Sequence, residues 1–185
     1  MKKIYALLTI LLLLLTSCNE PEARRPIYRS DNSEIRGSIE RNKKINAAQQ
    51  LLFKRVMKKD SSLVFVSTPA GYWKSVQQKA AKAAPPKTGD FVSFNYKIQT
   101  IEGEILYDEM ELGTVEYLVD KEELLPALRY AVKDLSLGEV GTFLMPSFLC
   151  YGYQGDEEKI GINQPLRLTL QLKSIKREEN LKESK

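Results

Sequence analysis

An alternation of apolar and polar residues with a period of two dominates the second half of the chain. It is clearest in 92–99 and again in 166–173, where every second side chain is apolar. This period is typical of strands with one buried face. The chain is therefore predicted to contain several half-buried strands, the shorter ones at 63–67, 72–76, 105–107, 115–119 and 142–145.

One compact amphipathic helix is predicted among these strands, over 124–137. Pro126 suits the first turn of this helix, because the N–H groups there have no carbonyl partner within the helix and proline lacks this N–H. Gly138 can end the helix. A single apolar helix among half-buried strands predicts an α+β fold, with an antiparallel sheet folded across the helix. Any pocket should lie between the helix and the concave face of the sheet. The apolar positions at helical spacing are Leu125, Leu128, Val132 and Leu135.

A second helix is predicted over 38–59, with Ser38 as its cap. Its apolar stripe needs a partner, which is either the rest of the same chain or a second copy in a homodimer. The basic residues of this helix are interpreted as a solvated face, with attraction to anionic lipid as the weaker alternative. The stripe consists of Ile45, Ala48, Leu52 and Val56, with Ala47 and Leu51 beside it.

The N-terminus has the pattern of an export signal. Lys2 and Lys3 precede an apolar run, 4–15, that is too short to span a bilayer comfortably. The residues up to Cys18 resemble the bacterial lipoprotein box, which implies cleavage before Cys18, acylation of that cysteine and a membrane anchor. A simple signal peptide with an incidental cysteine is the alternative. The polar stretch 19–32 is predicted to be a tether.

The composition excludes several kinds of chemistry. The chain has no histidine, so Ser-His-Asp and Cys-His catalysis and imidazole-based zinc sites are impossible. No glycine-rich phosphate loop is present, and the acidic run 156–158 lacks the spacing of a calcium loop. We therefore expect neither a metal nor a cofactor.

Net charge and cysteine content exclude further functions and features. The net charge is +4, and Lys2 and Lys3 would leave with the signal, which argues against a nucleic-acid binder. If Cys18 is acylated, Cys150 has no partner for a disulfide, since the chain has only two cysteines. Cys150 is predicted to be a small buried apolar residue rather than a nucleophile.

A series of short motifs follows in a characteristic order and spacing over 88–176. They are Gly89-Asp90, Asn95-Tyr96, Glu102-Gly103, Tyr107-Asp108, Leu124-Leu125-Pro126, Leu137-Gly138-Glu139, Pro146, Tyr151-Gly152, Asn163 and Ser174-Ile175-Lys176. No single motif is specific, but in this order and spacing they resemble a peptidyl-prolyl isomerase domain of the FK506-binding-protein (FKBP) type. The whole chain is more narrowly similar to the gliding-motility-associated lipoprotein isomerases of Bacteroidetes-type bacteria.

These features predict five segments. They are a lipoprotein signal peptide at 1–17, a lipid-anchored tether at 18–37, a helical segment at 38–62, an FKBP-like domain at 63–176 with its core at 88–176, and a charged tail at 177–185.

The resemblance implies an isomerase without a cofactor that acts on proline-containing clients in the cell envelope, anchored in the outer membrane and facing the periplasm. It also assigns a role to each site residue by position. Tyr96 and Asp108 would form a hydrogen-bonded polar edge, Tyr107 an aromatic wall, and Leu124 and Leu125 a contact with substrate; Tyr151 would donate to the substrate carbonyl, Ile160 would close the rim, and Leu128 and Leu168 would form the floor.

Some positions depart from the family pattern. Leu128 stands where many members have tryptophan, Leu168 and Val115 stand where many have phenylalanine, and Gly161-Ile162 replaces a common proline pair. The pocket should therefore offer fewer aromatic contacts. Two alternatives follow: a non-catalytic binding module or holdase of an envelope machine, and a purely structural lipoprotein. In the last case the site residues are only core and turn residues.

Overall fold

The strands form at the alternating runs. The computed structural model describes residues 33–59, 62–78 and 84–177. The predicted signal, Cys18, the tether up to residue 32 and the tail beyond 177 lie outside the described residues. The strands are β1 (Val66–Ser67), β2 (Trp73–Gln78), β3 (Phe91–Gln99), β4 (Ile105–Tyr107), β5 (Val115–Leu118), β6 (Val140–Met145) and β7 (Leu166–Lys176); the helices are α1 (Ser33–Lys59), α2 (Glu109–Leu112) and α3 (Pro126–Lys133).

The described strands form one sheet in the order β1-β2-β6-β7-β3-β4, with β5 also paired to β3. Every pairing is antiparallel. The long ladder between β3 and β7 runs from Phe91 opposite Lys176 to Gln99 opposite Arg167. Alternate residues of both strands are buried, as the period of two predicts. The α+β fold with an antiparallel sheet is confirmed.

Helix α3 crosses one face of this sheet. It starts at Pro126, as predicted, but ends at Lys133, so it is shorter than the predicted 124–137. Leu128 and Val132 are buried against the sheet. Gly138 has φ +81° and donates its N–H to the carbonyl of Leu172. It therefore belongs to the turn that returns the chain to the sheet rather than to the end of the helix.

Helix α1 covers the opposite face of the sheet through a separate small core. Phe53 is fully buried there with Ile101 and Leu144, whereas the neighbours of Leu144 along β6 join the core under α3. Side chains that follow one another in a strand point to opposite faces. The partner that the stripe required is thus the chain's own domain, and the homodimer stays a prediction.

Two details of α1 differ from the prediction. The helix begins at Ser33, so Ser38 lies inside it and does not cap it. Ala48 and Leu51 are exposed, and the most buried side chain besides Phe53 is Gln49. Among the described helices, none is long and apolar enough to cross a membrane.

Candidate functional site

Three neighbouring strands bring predicted site residues together in one row. Ile98 of β3 is opposite both Tyr107 of β4 and Leu168 of β7. Residues directly opposite each other share a face of the sheet. Two residues earlier along β3, Tyr96 is opposite Leu170. These side chains therefore line the face of the sheet that α3 crosses.

The predicted floor is part of the main hydrophobic core. Leu128 is 2% exposed and Leu168 0%, and Ile160 is buried in the same core. Leu124 and Leu125, which lead into α3, are half-buried and pack against it. The structure thus brings these five residues together, with the two floor leucines inside the protein rather than at an open surface.

The hydroxyl of Tyr151 is the most available polar group at this position. Its side chain is half-buried and packs against the core, yet no residue in the described part of the chain hydrogen-bonds to it. Burial, followed by the nearby Tyr96 hydroxyl and the Asp156 carboxylate, raises the pKa of Tyr151 to about 12. At neutral pH this O–H is protonated and free to donate.

Tyr96 is a second hydroxyl of this kind. Burial raises its pKa, and within the described residues it has no hydrogen-bond partner. Its ring packs on Phe94 with centroids 5.9 Å apart. Tyr96 and Tyr151 both pack against the main hydrophobic core. The predicted convergence of their hydroxyls stays a prediction.

The predicted hydrogen bond between Tyr96 and Asp108 is wrong. Asp108 is exposed and caps the short helix α2, accepting the backbone N–H groups of Met110 at 2.9 Å and Glu111 at 2.8 Å. A carboxylate is a favourable cap because it satisfies N–H groups that the first helical turn leaves unpaired. Because no helix was predicted at 109–112, the Asp108 carboxylate was expected to pair with Tyr96 instead.

Tyr107 packs against the core as an aromatic wall, but its hydroxyl is used by the protein itself. It donates to Oδ2 of Asp156 at 2.5 Å. Lys159 lies with its Nζ 4.3 Å from the centre of the Tyr107 ring and 2.7 Å from Oε1 of Glu111. We call Tyr107, Glu111, Asp156 and Lys159 the rim clasp. It joins β4 and α2 to the loop 151–163.

Asp156 was not among the site residues predicted from the sequence, where the run 156–158 was excluded only as a calcium loop. Its Oδ1 accepts the backbone N–H groups of Glu158, Lys159 and Ile160 at 2.7–3.0 Å. Partial burial acts to raise its pKa, but the bonds from Tyr107 and these N–H groups hold the pKa below the ordinary value. An aspartate after Gly155 is a signal for such a turn.

The remaining sequence predictions here concern Cys150 and metals. Cys150 is buried, and burial raises the pKa of its thiol to about 12, so it is an apolar core residue at neutral pH as predicted. The described residues contain no group of three or more side chains suited to holding a metal ion. What the site offers is an apolar surface with two phenolic donors.

Residues 82–173 match a family model described as FKBP-type peptidyl-prolyl cis-trans isomerase. This chain belongs to that family. A comparison with curated proteins found no match.

Solved structures show the same fold. FkpA from Escherichia coli matches with a TM-score of 0.58 and 21% identity, over 80% of this chain and 67% of that one. A peptidyl-prolyl isomerase from Pseudomonas syringae pv. tomato matches with a TM-score of 0.58 and 15% identity, over 73% of this chain and 96% of that one. The three FKBP domains of wheat FKBP73 match with a TM-score of 0.50 and 25% identity, over 58% of this chain and 45% of that one. This FKBP-type chain thus spans less than half of the wheat protein.

Proposed function

We propose that this chain catalyses the cis–trans isomerisation of Xaa–Pro bonds in client polypeptides and thereby assists their folding. The observation that supports this most directly is the Tyr151 hydroxyl, which is protonated, has no acceptor among the described residues and, like Tyr96, belongs to a side chain packed against the apolar core. It provides one donor for the carbonyl of a bound substrate. The family membership agrees with this chemistry.

The reaction needs no acid, base or nucleophile. Rotation about the bond faces a barrier of about 20 kcal/mol because the planar imide is stabilised by resonance. The planar form is also the more polar one, so apolar surroundings disfavour it relative to the twisted transition state. A histidine-free chain can supply this difference, since catalysis requires only stronger binding of the transition state.

The test measures kcat/KM for the isomerisation of a short proline-containing peptide, which contacts only the candidate isomerase site. Tyr151→Phe removes one hydrogen bond to the substrate and should lower kcat/KM by roughly 2- to 10-fold. Tyr130→Phe, which changes a tyrosine on the exposed side of α3, should leave kcat/KM unchanged. No acceleration by the unmodified protein at high concentration would refute the proposal.

We propose further that the protein works in the cell envelope, held at the outer membrane by acylated Cys18 and facing the periplasm, where its clients are exported proteins, including those of gliding motility. The residues 1–18 and the narrower resemblance support this. Labelling of cells with a radioactive fatty acid should mark the protein, and Cys18→Ser should abolish the label. An unlabelled protein would refute the anchor.

A second candidate is a non-catalytic binding module. The buried floor leucines and the use of the Tyr107 hydroxyl by Asp156 favour it, because both reduce the surface open to a prolyl ring. Replacing both Tyr96 and Tyr151 by phenylalanine separates the two. If the variant loses isomerase activity but still performs its function in the cell, the binding module is supported. If the cellular function is lost together with the activity, catalysis is supported.

A further inference from the structure

A groove of about 550 Å³ lies between helix α1 and the segments that follow β6. Its volume is in the range of sites that bind ligands. It is distinct from the surface around Tyr151 and Tyr96. The side chains used below are Ile39, Lys43 and Asn46 on the helix and Phe148, Tyr153 and Asn163 across from it.

The walls combine apolar surface with amide groups. Phe148, in the short 3-10 helix Ser147–Leu149, is 53% exposed, and Tyr153, in the loop 151–163, is 73% exposed; both line the groove. Large apolar side chains that lie on neighbouring segments and are this exposed are typical of an interaction surface. The amides of Asn46 and Asn42 lie along the helical wall. Amides can pair with both the N–H and the C=O of a peptide backbone.

Asn46 is the unexplained group of this groove. Its Oδ1 is shielded from solvent and has no hydrogen-bond partner within the described residues. A buried acceptor without a donor is unfavourable. A half-turn about the last side-chain bond would point the oxygen elsewhere without breaking any hydrogen bond, and this torsion is soft. The amide is thus ready to pair with a donor that enters the groove.

The loop 151–163 connects the groove to the candidate isomerase site. Tyr151 packs against the core, and Gly152 and Tyr153, which follow it directly, line the groove. Asn163 donates its N–H to the carbonyl of Gly152 at 2.7 Å, and its own carbonyl accepts a hydrogen bond from Gln49 of α1. One hydrogen-bonded loop therefore contributes Tyr151 to the candidate isomerase site and Gly152 and Tyr153 to the groove.

Among the described residues that line the groove, Lys43 alone is charged. A single cation at the edge of an apolar surface favours a ligand with one acidic group. No cluster of cations is present among the lining residues to hold a phosphate. Apolar walls, backbone-pairing amides and one cation match the chemistry of an extended polypeptide segment with apolar side chains and one acidic residue.

We infer that the groove binds such a segment of the client, next to the proline that occupies the pocket. This inference rests on the proposed function, and it adds a second contact that only a long polypeptide can reach. A short proline peptide fills the pocket alone. The groove therefore lowers KM for protein substrates and leaves kcat for short peptides unchanged.

The experiment uses the full chain in non-ionic detergent and a permanently unfolded protein, reduced and carboxymethylated α-lactalbumin, whose binding is followed by fluorescence anisotropy. Asn46→Leu should weaken binding about 3- to 10-fold, since it removes the free amide but breaks no bond in the protein. Lys43→Glu should weaken it roughly 2- to 5-fold, and less in high salt. The matched control is Lys44→Glu, an exposed lysine of α1 that does not line the groove.

The outcomes separate the two proposals. Weaker binding in both groove variants but not in Lys44→Glu, with unchanged turnover of a short proline peptide, supports the inference. If the unmodified protein turns over no proline peptide, the isomerase proposal fails, yet the same binding comparison still decides the groove. Equal binding by all variants overturns the inference. So does a dimer in sedimentation velocity that Ile39→Asp converts to monomer, because a second copy then fills the groove.

Discussion

The two faces of the loop 151–163 are held in place by different kinds of interaction. On the inner face, the Asp156 carboxylate accepts three backbone N–H groups of its own loop and the Tyr107 hydroxyl. On the outer face, neutral Gln49 donates to the Asn163 carbonyl and exchanges hydrogen bonds with Ser147, which is 98 residues away in the sequence. The inner face is thus organised by a charged carboxylate that is bound mostly within its own loop, and the outer face by a neutral side chain from a distant helix.

The two faces should therefore be sensitive to different perturbations. A change of pH acts on the inner face, because a carboxylate organises it. Detachment of α1 acts on the outer face, because a single buried side chain of that helix holds it. Both sides also have polar groups without a partner in the described chain: the hydroxyls of Tyr151 and Tyr96 on the inner side, and Oδ1 of Asn46 on the outer side. A ligand is the expected partner on each side.

The largest expected effect comes from breaking both faces at once with Gly155→Val. Gly155 has φ +73°, and a Cβ there would collide with the backbone carbonyl oxygen of Ile160. We expect a loss of about 2–4 kcal/mol in the free energy of unfolding, measured in urea. Gly152→Ala is the control: it has φ +60° but no atom near its Cβ, so about 1 kcal/mol should be lost. Equal losses would contradict the collision.

Gln49→Leu should break the outer face alone. It leaves the N–H of Ser147 and the carbonyl of Asn163 without the partner they have now, inside the protein. We expect a loss of about 2–3 kcal/mol in the free energy of unfolding. Asn46→Leu, a comparable change on the same helix face, should cost nothing because Oδ1 of Asn46 has no hydrogen-bond partner among the described residues. Turnover of a short proline peptide that falls with stability would show that the faces are coupled.

The sequence predicted the sheet and the apolar core better than the outer face. A period of two defines which side of β3 and β7 is buried, and the structure agrees. For α1 the same method chose Ala48 and Leu51, which are exposed, and missed Gln49. Hydrophobic periodicity counts glutamine as polar and outward, whereas here its amide satisfies buried backbone groups of a distant loop. Such a contact leaves no local pattern.

Only part of the candidate site could be predicted from the sequence, for a similar reason. Apolar positions such as Leu128 and Leu168 follow from periodicity and from the family resemblance. Asp108 and Asp156 could not be assigned that way, because a carboxylate takes whichever N–H groups the backbone presents. The caps at 109–111 and 158–160 depend on turns that the sequence analysis did not place.

The inner face should respond to acid through Asp156. Although partial burial opposes it, the hydrogen bonds to its carboxylate hold the folded pKa below the ordinary value of 3.8. The stabilisation is therefore complete well above that pH and is lost as the pH falls through 3.8 towards the folded pKa. Because the group is largely accessible to solvent, we expect only about 0.5–1 kcal/mol. The difference in unfolding free energy between the unmodified protein and Asp156→Asn should vanish in acid; a difference constant with pH would exclude this role.

The smallest effect is expected from Tyr107→Phe, which removes one hydroxyl from the rim clasp and keeps the ring. The three backbone hydrogen bonds to Asp156 and the contact of Lys159 with the ring remain. The loop should keep its shape but open more often, so hydrogen exchange of the amides at 156–160 should become faster. KM for a short proline peptide should rise by less than about threefold, with kcat unchanged. Tyr130→Phe serves as the control, since its hydroxyl has no part in the clasp. If exchange at 156–160 is unchanged, the loop is held by Asp156 and its own backbone alone, and the inner face does not depend on β4.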